Sequence, residues 1–337
     1  MESYPDLGAE SPGIAVVIPA YRAEKFIVKI LSGIPQFVSY IVVVNDCSPD
    51  RTAELVQAHH DARVCLISHE TNQGVGGAML TGYRKAIELG AKIIVKIDSD
   101  DQMDPAHLIP LIAPILLGQA DYTKGNRFLH ANELKKMPST RRIGNAGLSF
   151  LTKAASGYWN IFDPTNGYTA IHASLIPLLD NARIHRRYFF ESSMLIELGM
   201  NRAVVRDVYI PARYGDELSS LSVWKTLFEF PPRLFSGFLR RFVVQYFIRD
   251  FGVVSLLFLT GLILSVFGFV YGANHWRQSI VTGSPASTGT VMVATLPLIL
   301  GSQLLIQALI ADIQSVPKEP IHNQLNALER LNRAFSE

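Results

Sequence analysis

From Phe251 to Asn274 the chain carries no Asp, Glu, Lys, Arg or His, and after His275-Trp276-Arg277-Gln278 none returns until Asp312. About 20 consecutive apolar residues suffice to cross the hydrocarbon core of a bilayer. Each stretch is longer than a core helix normally runs without a polar face. The pattern predicts two transmembrane helices, near 251–272 and 290–311, joined by a short polar loop. The alternative is a pair of buried core helices. Composition follows suit: only 18% of the 337 residues are charged, against roughly 25% in a typical soluble protein.

The flanks set the orientation. Arg233, Arg240, Arg241 and Arg249 precede the first stretch and Lys318, Arg330 and Arg333 follow the second, whereas the connection carries only His275 and Arg277. By the positive-inside rule the N-terminal part and the C-terminal tail face the cytoplasm, the chain crossing the cell (inner) membrane twice. The opening residues are polar and acidic (Glu2, Asp6, Glu10) and do not read as a signal peptide. Cys47 and Cys65 then lie in a reducing compartment and read as core residues rather than a disulfide. A net charge of +2 argues against a dedicated nucleic-acid binder.

Ahead of these stretches, apolar strands alternate with helical patterns. Residues 14–18, 40–44, 64–68, 93–97 and 121–124 read as strands, with helices beginning at Glu24 and over 49–58, 77–89 and 105–117. Continuous apolar strands alternating with amphipathic helices predict a parallel α/β sheet covered on both faces. Such sheets bind ligands at the carboxyl ends of their strands. Gly74-Val75-Gly76-Gly77 is not GxGxxG, and no GxxxxGK[ST] is present, which argues against a dinucleotide fold or a P-loop. These glycines suit a tight turn and close helix packing.

At the end of the fourth strand stands Asp98-Ser99-Asp100-Asp101-Gln102. Like charges this close repel unless something positive neutralises them. Hard oxygen ligands at a strand end suit Mg²⁺ or Mn²⁺ together with phosphate oxygens. An acidic, solvated turn is the other reading, and this segment by itself leaves the two open.

Leu234, Phe235, Phe238, Leu239, Phe242 and Tyr246 recur at helical spacing among arginines just before the first apolar stretch. This predicts interfacial helices lying in lipid headgroups, with packing against the soluble domain as the alternative. Pro231-Pro232 is expected to break the segment in two. Arg141-Arg142, downstream of Lys135-Lys136, suit either an acceptor phosphate or a solvated charge run. The nine histidines show no zinc spacing. Gly261-xxx-Ser265 and Gly268-xxx-Gly272 permit close helix contact, including a homo-oligomeric one.

The ordered motifs VVIPAY (16–21), VVVNDCSPDRT (42–52), NQGVGGA (72–78) and IDSDDQ (97–102) resemble the GT-A family 2 glycosyltransferases. Downstream, GNRF (125–128), DPTNGY (163–168), FFES (189–192) and RYGDELSSLS (213–222) resemble the dolichyl-phosphate mannose synthase group, in particular bacterial polyisoprenyl-phosphate glycosyltransferases with two transmembrane helices. The resemblance implies a Rossmann-like GT-A catalytic domain over 1–222, interfacial helices over 223–250, two transmembrane helices over 251–311 and a cytoplasmic tail over 312–337. It implies that Pro19, Tyr21, Val44 and Asp46 line the base and ribose pocket. Asp98, Ser99 and Asp100 form the DxD, with Asp100 and Gln102 nearest a Mg²⁺ or Mn²⁺ cofactor and the donor diphosphate. Arg127 and Arg213 would contact phosphates, and Asp163 lies in the motif nearest the reacting centre. The chain departs from the family pattern at Ala23, Asn45 and Asp101.

The implied reaction is inverting transfer from a nucleotide sugar, best matched to UDP-glucose, onto polyisoprenyl phosphate. A divalent cation stabilises the leaving diphosphate without proton transfer, and arginine forks add positive charge where the leaving group develops its own. The rival readings are a processive polysaccharide synthase, a transporter or flippase, and a catalytically silent nucleotide-binding scaffold. The chain lacks the QxxRW-type motif of the first and intramembrane ionisable residues for the second.

Overall fold

The computed structural model describes the backbone of residues 13–127, 139–211 and 223–336. The side chains at 139–143, 145, 223–228, 329–330, 333–334 and 336 fall outside the description. The chain divides into two compact units, one formed by Met1–Phe238 with Pro317–Glu337 and the other by Leu239–Val316.

The first unit is built on a seven-stranded sheet in the order β3-β2-β1-β4-β6-β5-β7. Its strands are β1 (Ile14–Ala20), β2 (Tyr40–Asn45), β3 (Val64–Ser68), β4 (Ile93–Lys96), β5 (Tyr122–Asn126), β6 (Thr169–His172) and β7 (Val205–Tyr209). β1 is buried along its whole length, as its unbroken apolar run requires of a strand covered on both faces. Helices α1 (Ile27–Gly33), α2 (Thr52–Gln57), α3 (Gly74–Glu88) and α4 (Leu108–Leu116) connect the first strands. Ile14, Val16 and Ile18 of β1 share a core with Ile27 and Leu31 of α1, Ile41 and Val43 of β2, and Leu108 and Ile112 of α4.

The sheet is mixed rather than parallel. β6 runs antiparallel to both β4 and β5, while β5 and β7 are parallel. The reason is where the chain re-enters. β5 ends at Asn126, helix α5 (Ser139–Ser156) follows, and β6 starts directly after the loop 163–168. β6 starts where β4 and β5 end, Thr169 lying beside Lys96 and Lys124, and so runs back against both. That reversal delivers the DPTNGY loop to the carboxyl ends of the parallel strands.

Helix α6 (Phe190–Met200) precedes β7, and α7 (Val223–Val243) follows the undescribed segment 212–222. Pro231-Pro232 does not break α7, which runs through both prolines and gives way to a π turn over Val244–Arg249. Each proline removes one backbone donor, and burial of the flanking Phe230 and Leu234 against Ala155, Phe189 and Ile196 holds the helix together. The aromatic stripe is accordingly divided. Leu234 and Phe238 pack within the first unit, Phe242 and Tyr246 are buried, and Phe235 and Leu239 are exposed.

In the second unit, α8 (Val253–Thr282) and α9 (Thr288–Gln314) are 30 and 27 residues long, and both are apolar enough to cross a membrane. His275–Gln278, expected in the connecting loop, continue α8, and the turn falls at 283–287 instead. The small residues are spent within this hairpin. A Cβ on Gly261 would stand 2.9 Å from Gly301 O, and one on Gly268 would stand 2.7 Å from Ala294 O. Below the hairpin Arg241 forks onto Asp312 at 2.8 and 3.0 Å, and the Tyr246 hydroxyl donates to the same carboxylate at 2.6 Å. A last helix, α10 (Ile321–Ser336), belongs to the first unit. The cysteines are free as expected, but Cys47 is exposed and Cys65 half-buried, so neither is a core residue.

Candidate active site at the carboxyl edge of the sheet

β1 and β4 are neighbours from which the chain proceeds toward opposite edges of the sheet, to β2 and to β5, and at such a switch point open α/β sheets form a ligand crevice at the carboxyl ends of the strands. The backbone there is strained. Arg22, Cys47 and Asp101, just past β1, β2 and β4, have φ of 56°, 55° and 59°. Left-handed backbone at a non-glycine residue costs on the order of 1–3 kcal/mol and persists only where the surroundings impose it. Here Arg22 N donates to Ser48 Oγ at 2.7 Å and Ala23 N to Thr52 Oγ1 at 2.9 Å. Asp50 accepts from both those hydroxyls and from Glu24 N. Burial pushes Asp50 up, but these hydrogen bonds outweigh it and hold the carboxyl at about 2. Lys29 of α1 pairs with Asp101, which tethers the third strained turn.

Of the four residues expected around a base, Pro19 and Val44 are buried, Asp46 is buried, and Tyr21 is 45% exposed. The Asp46 carboxylate is engaged by the protein itself. It meets His69 Nδ1 at 2.8 Å and accepts from Gln73 N at 2.8 Å and Gly74 N at 2.7 Å. Asp46 thereby fixes the entry to α3, where Gly74 turns with φ +80° and a Cβ on Gly76 would fall 2.2 Å from His185 O. The glycine run serves turn and packing, as its spacing suggests.

The acidic turn is differentiated residue by residue. Asp98 Oδ1 lies 2.6 Å from the buried Lys96 Nζ, which also stands 3.3 Å from Glu191 and 3.3 Å from Gly167 O. Burial depresses a lysine, yet Asp98 and Glu191 outweigh it and raise Lys96 above its ordinary value. A side chain on Gly167 would collide with both partners, its Cβ 2.5 Å from Lys96 Nζ and 2.6 Å from Asp98 Oδ2. Ser99 and Asp100 are half-buried, and Asp100 Oδ1 accepts from Gln102 N at 3.1 Å. Among the described residues no three His, Cys, Asp or Glu side chains gather to cage a metal. A Mg²⁺ shared with a substrate's phosphates needs only one or two carboxylates. The all-oxygen set of Asp98, Asp100 and Gln102 fits a hard cation of that kind.

Across the crevice the re-entrant loop meets the end of β5. Arg127 grips Asp163 with Nε at 2.8 Å and Nη2 at 3.2 Å, and Asp163 is only 1% exposed. Beneath them Lys96, Thr169, Lys124 and Asp207 stand in register on β4, β6, β5 and β7 and so share one face. Lys124 donates to Asn166 O, bracing the loop. Burial lowers its ammonium to about 8 against the pull of Glu191 and Asp163. Asp207 accepts from Phe162 N at 2.7 Å and Asn126 Nδ2 at 3.1 Å, and burial pushes it up to about 6.

The structure thus brings Tyr21, Asp98, Ser99, Asp100 and Gln102 to the carboxyl ends of β1 and β4, with Arg127 and Asp163 at the end of β5. Arg213 lies outside the described residues. Arg141 and Arg142 fall in the first turn of α5, their side chains outside the description. Sequence reasoning missed the supporting charges Lys96, Lys124, Glu191, Asp207 and His69. The available signal was a lysine inside each of two short buried strands, IIVK and YTKGN, because a lysine is almost never fully buried unless paired.

Residues 15–177 match the family described as Glycosyl transferase family 2. The chain is 33% identical over 218 residues to UDP-N-acetylglucosamine--dolichyl-phosphate N-acetylglucosaminyltransferase of Methanococcus voltae, covering 60% of this chain and 86% of that protein. It is 27% identical over 215 residues to undecaprenyl-phosphate mannosyltransferase of Micrococcus luteus, covering 61% and 87%. Among solved structures, glucosyl-3-phosphoglycerate synthase of Mycobacterium tuberculosis aligns with a TM-score of 0.51 at 20% identity, over 68% of this chain and 80% of that one. That likeness carries the fold. With a mixed sheet of GT-A type, an acidic turn at its switch point and a relative one-third identical over most of its length, the chain belongs to glycosyl transferase family 2.

Proposed function

We propose that this protein transfers one sugar, with inversion, from a nucleotide sugar to a polyisoprenyl phosphate at a membrane surface. The observation that carries the reading is the acidic turn 98–102 against the loop 163–168, where Gly167 abuts Asp98 and Asp163 holds Arg127, in a chain that also has two membrane-length helices. The acceptor names of the Methanococcus voltae and Micrococcus luteus relatives support it.

In this reading Asp100 and Gln102, with Asp98, hold Mg²⁺ or Mn²⁺ against the donor diphosphate, where the cation stabilises the departing charge. Tyr21 and Ser99 face the nucleotide, and Pro19, Val44 and Asp46 set the shape of its pocket from within. Arg127, Arg213, Arg141 and Arg142 supply positive charge to donor and acceptor phosphates. A phosphate oxygen of the acceptor forms the new bond to the anomeric carbon while the bond to the nucleoside diphosphate breaks. A phosphate monoester is already largely dianionic near neutral pH, its second pKa being about 6, so no general base is required. Asp163, buried with both oxygens on Arg127, orients that arginine rather than collecting a proton.

α8 and α9 pack on each other along their length and turn at 283–287, which supports both flanks of the hairpin lying on one side of the membrane. The arginine-rich flanks make that the cytoplasmic side. The relatives' names carry N-acetylglucosamine and mannose, so UDP-N-acetylglucosamine leads the donor panel, with GDP-mannose and UDP-glucose beside it. Purified protein given labelled donors, undecaprenyl phosphate and Mn²⁺ should yield lipid-extractable label that disappears with EDTA and in Asp100→Ala. Undiminished transfer under chelation, or in that variant, would overturn the metal assignment.

A further inference from the structure

Helix α10 leaves the C-terminal part of its apolar stripe uncovered. Its first turn is tied to the protein through polar groups. Asp121 Oδ1 accepts from His322 N at 2.9 Å and meets His322 Nδ1 at 2.8 Å, while Oδ2 accepts from Ile321 N at 2.9 Å. Asn323 Nδ2 donates to Gly118 O at 2.8 Å, and the His322 ring stacks on His172 with centroids 4.5 Å apart. Ile321 and Leu325 of its apolar stripe are half-buried, but the remainder is left outside: Leu328, Leu331 and Phe335, spaced three and four residues apart on one face, are 56%, 53% and 87% exposed. An amphipathic helix normally buries that stripe against its own domain.

We infer that the Leu328–Leu331–Phe335 face of α10 lies in the lipid headgroup layer, so that the helix is held by the catalytic domain at its first turn and by the bilayer along that face. The inference rests on reading α8 and α9 as a membrane hairpin. The hairpin's second helix ends at Gln314 and α10 begins at Ile321. Seven residue steps reach at most about 25 Å even when fully extended, so covalent connection alone keeps α10 beside the surface where the hairpin emerges. Apolar residues on one side and basic residues such as Arg330 and Arg333 in the sequence are the composition of an interfacial helix. Asp121 then acts as the grip by which the catalytic domain holds a surface-bound helix.

The test uses the full chain in nanodiscs of phosphatidylcholine and phosphatidylglycerol, with p-benzoyl-phenylalanine in place of Leu331 or Phe335. After irradiation, lipid adducts are counted by mass spectrometry, with the probe at Phe267 of α8 as the membrane reference and at Asn326 as the polar-side reference. Adducts at Leu331 and Phe335 several-fold above Asn326 and approaching Phe267 are expected. Adducts at Phe267 without them at Leu331 and Phe335 would overturn the inference while leaving the membrane hairpin standing. So would crosslinked dimers formed from those two positions, which would assign the face to a second copy of the chain. Absence of adducts at Phe267 would remove the membrane reading on which the inference rests.

Discussion

Lys96 Nζ lies 2.6 Å from Asp98 Oδ1 beneath the acidic turn, and the same ammonium stands 3.3 Å from Glu191. The turn therefore meets a ligand with one of its carboxylates already neutralised from inside the sheet. Lys96→Met leaves Asp98 and Glu191 without their shared cation. Breaking a buried pair from one side typically costs about 3–5 kcal/mol. Thermal unfolding of Lys96→Met should show a loss of that order, whereas Lys96→Met combined with Glu191→Gln should recover part of it. Equal stability of Lys96→Met and wild type would show that the pair contributes nothing.

Asp163 and Arg127 separate orientation from proton transfer. Asp163→Asn keeps the shape but removes the charge that fixes the guanidinium. Misplacing a catalytic group by an ångström can cost about 10²-fold in rate, and a kcat loss of that order is expected. The acid limb of the pH–rate profile should keep its midpoint. Disappearance of that limb in Asp163→Asn would instead identify Asp163 as the base.

The docking of α10 should depend on pH through His172. Burial and the neighbouring His322 ring lower His172 to about 4, although Asp121 pulls the other way and Lys92 adds to the lowering. Its Nδ1 accepts from Ser174 N at 3.3 Å, as a neutral ring can. A depressed folded value means that its stability contribution is complete above the ordinary histidine value near 6.5 and is lost as pH falls toward 4. Hydrogen exchange over Ile321–Asn332, corrected for intrinsic rates, should accelerate across that window. His172→Gln should flatten the change, and an unchanged slope in that variant would assign the dependence elsewhere.

Arg241 and Asp312 brace the hairpin of the second unit with a buried fork. Asp312→Ala strands the guanidinium and should lower stability by about 3–5 kcal/mol, while Arg241→Met with Asp312→Leu should cost much less. Unfolding in detergent, followed by fluorescence, distinguishes the two. A double variant as unstable as the single one would point to the Tyr246 hydroxyl as the main brace.

Much of the catalytic half was legible in the chain because its signals are local. The apolar runs 14–18 and 40–44 and the acidic turn at 98–102 each announce a strand or a strand end within a few residues. What escaped depends on pairings across long separations. The reversed direction of β6 follows from the route of the chain after α5, which no periodicity records. Lys96 becomes a partner of Glu191 only once β4 and α6 are brought together. The partners of Asp46, His69 and the amides of Gln73 and Gly74, likewise lie more than 20 residues away in the chain. The double proline reads locally as a break, yet burial of Phe230 and Leu234 on either side carries the helix through it. The apolar stretches, by contrast, were plain from composition alone, since their signal is length without charge.

Transfer of a single sugar to a lipid phosphate is measured directly in its product. Full-length protein in nanodiscs containing undecaprenyl phosphate is incubated with Mn²⁺ and UDP-N-acetylglucosamine, GDP-mannose or UDP-glucose, each labelled in the sugar, and the organic extract is analysed by mass spectrometry and NMR. The predicted result is one donor yielding a monosaccharide phosphodiester of the lipid whose anomeric configuration is opposite to that of the donor. Label left wholly in the aqueous phase for every donor, a product of many sugars, or retained configuration would contradict it.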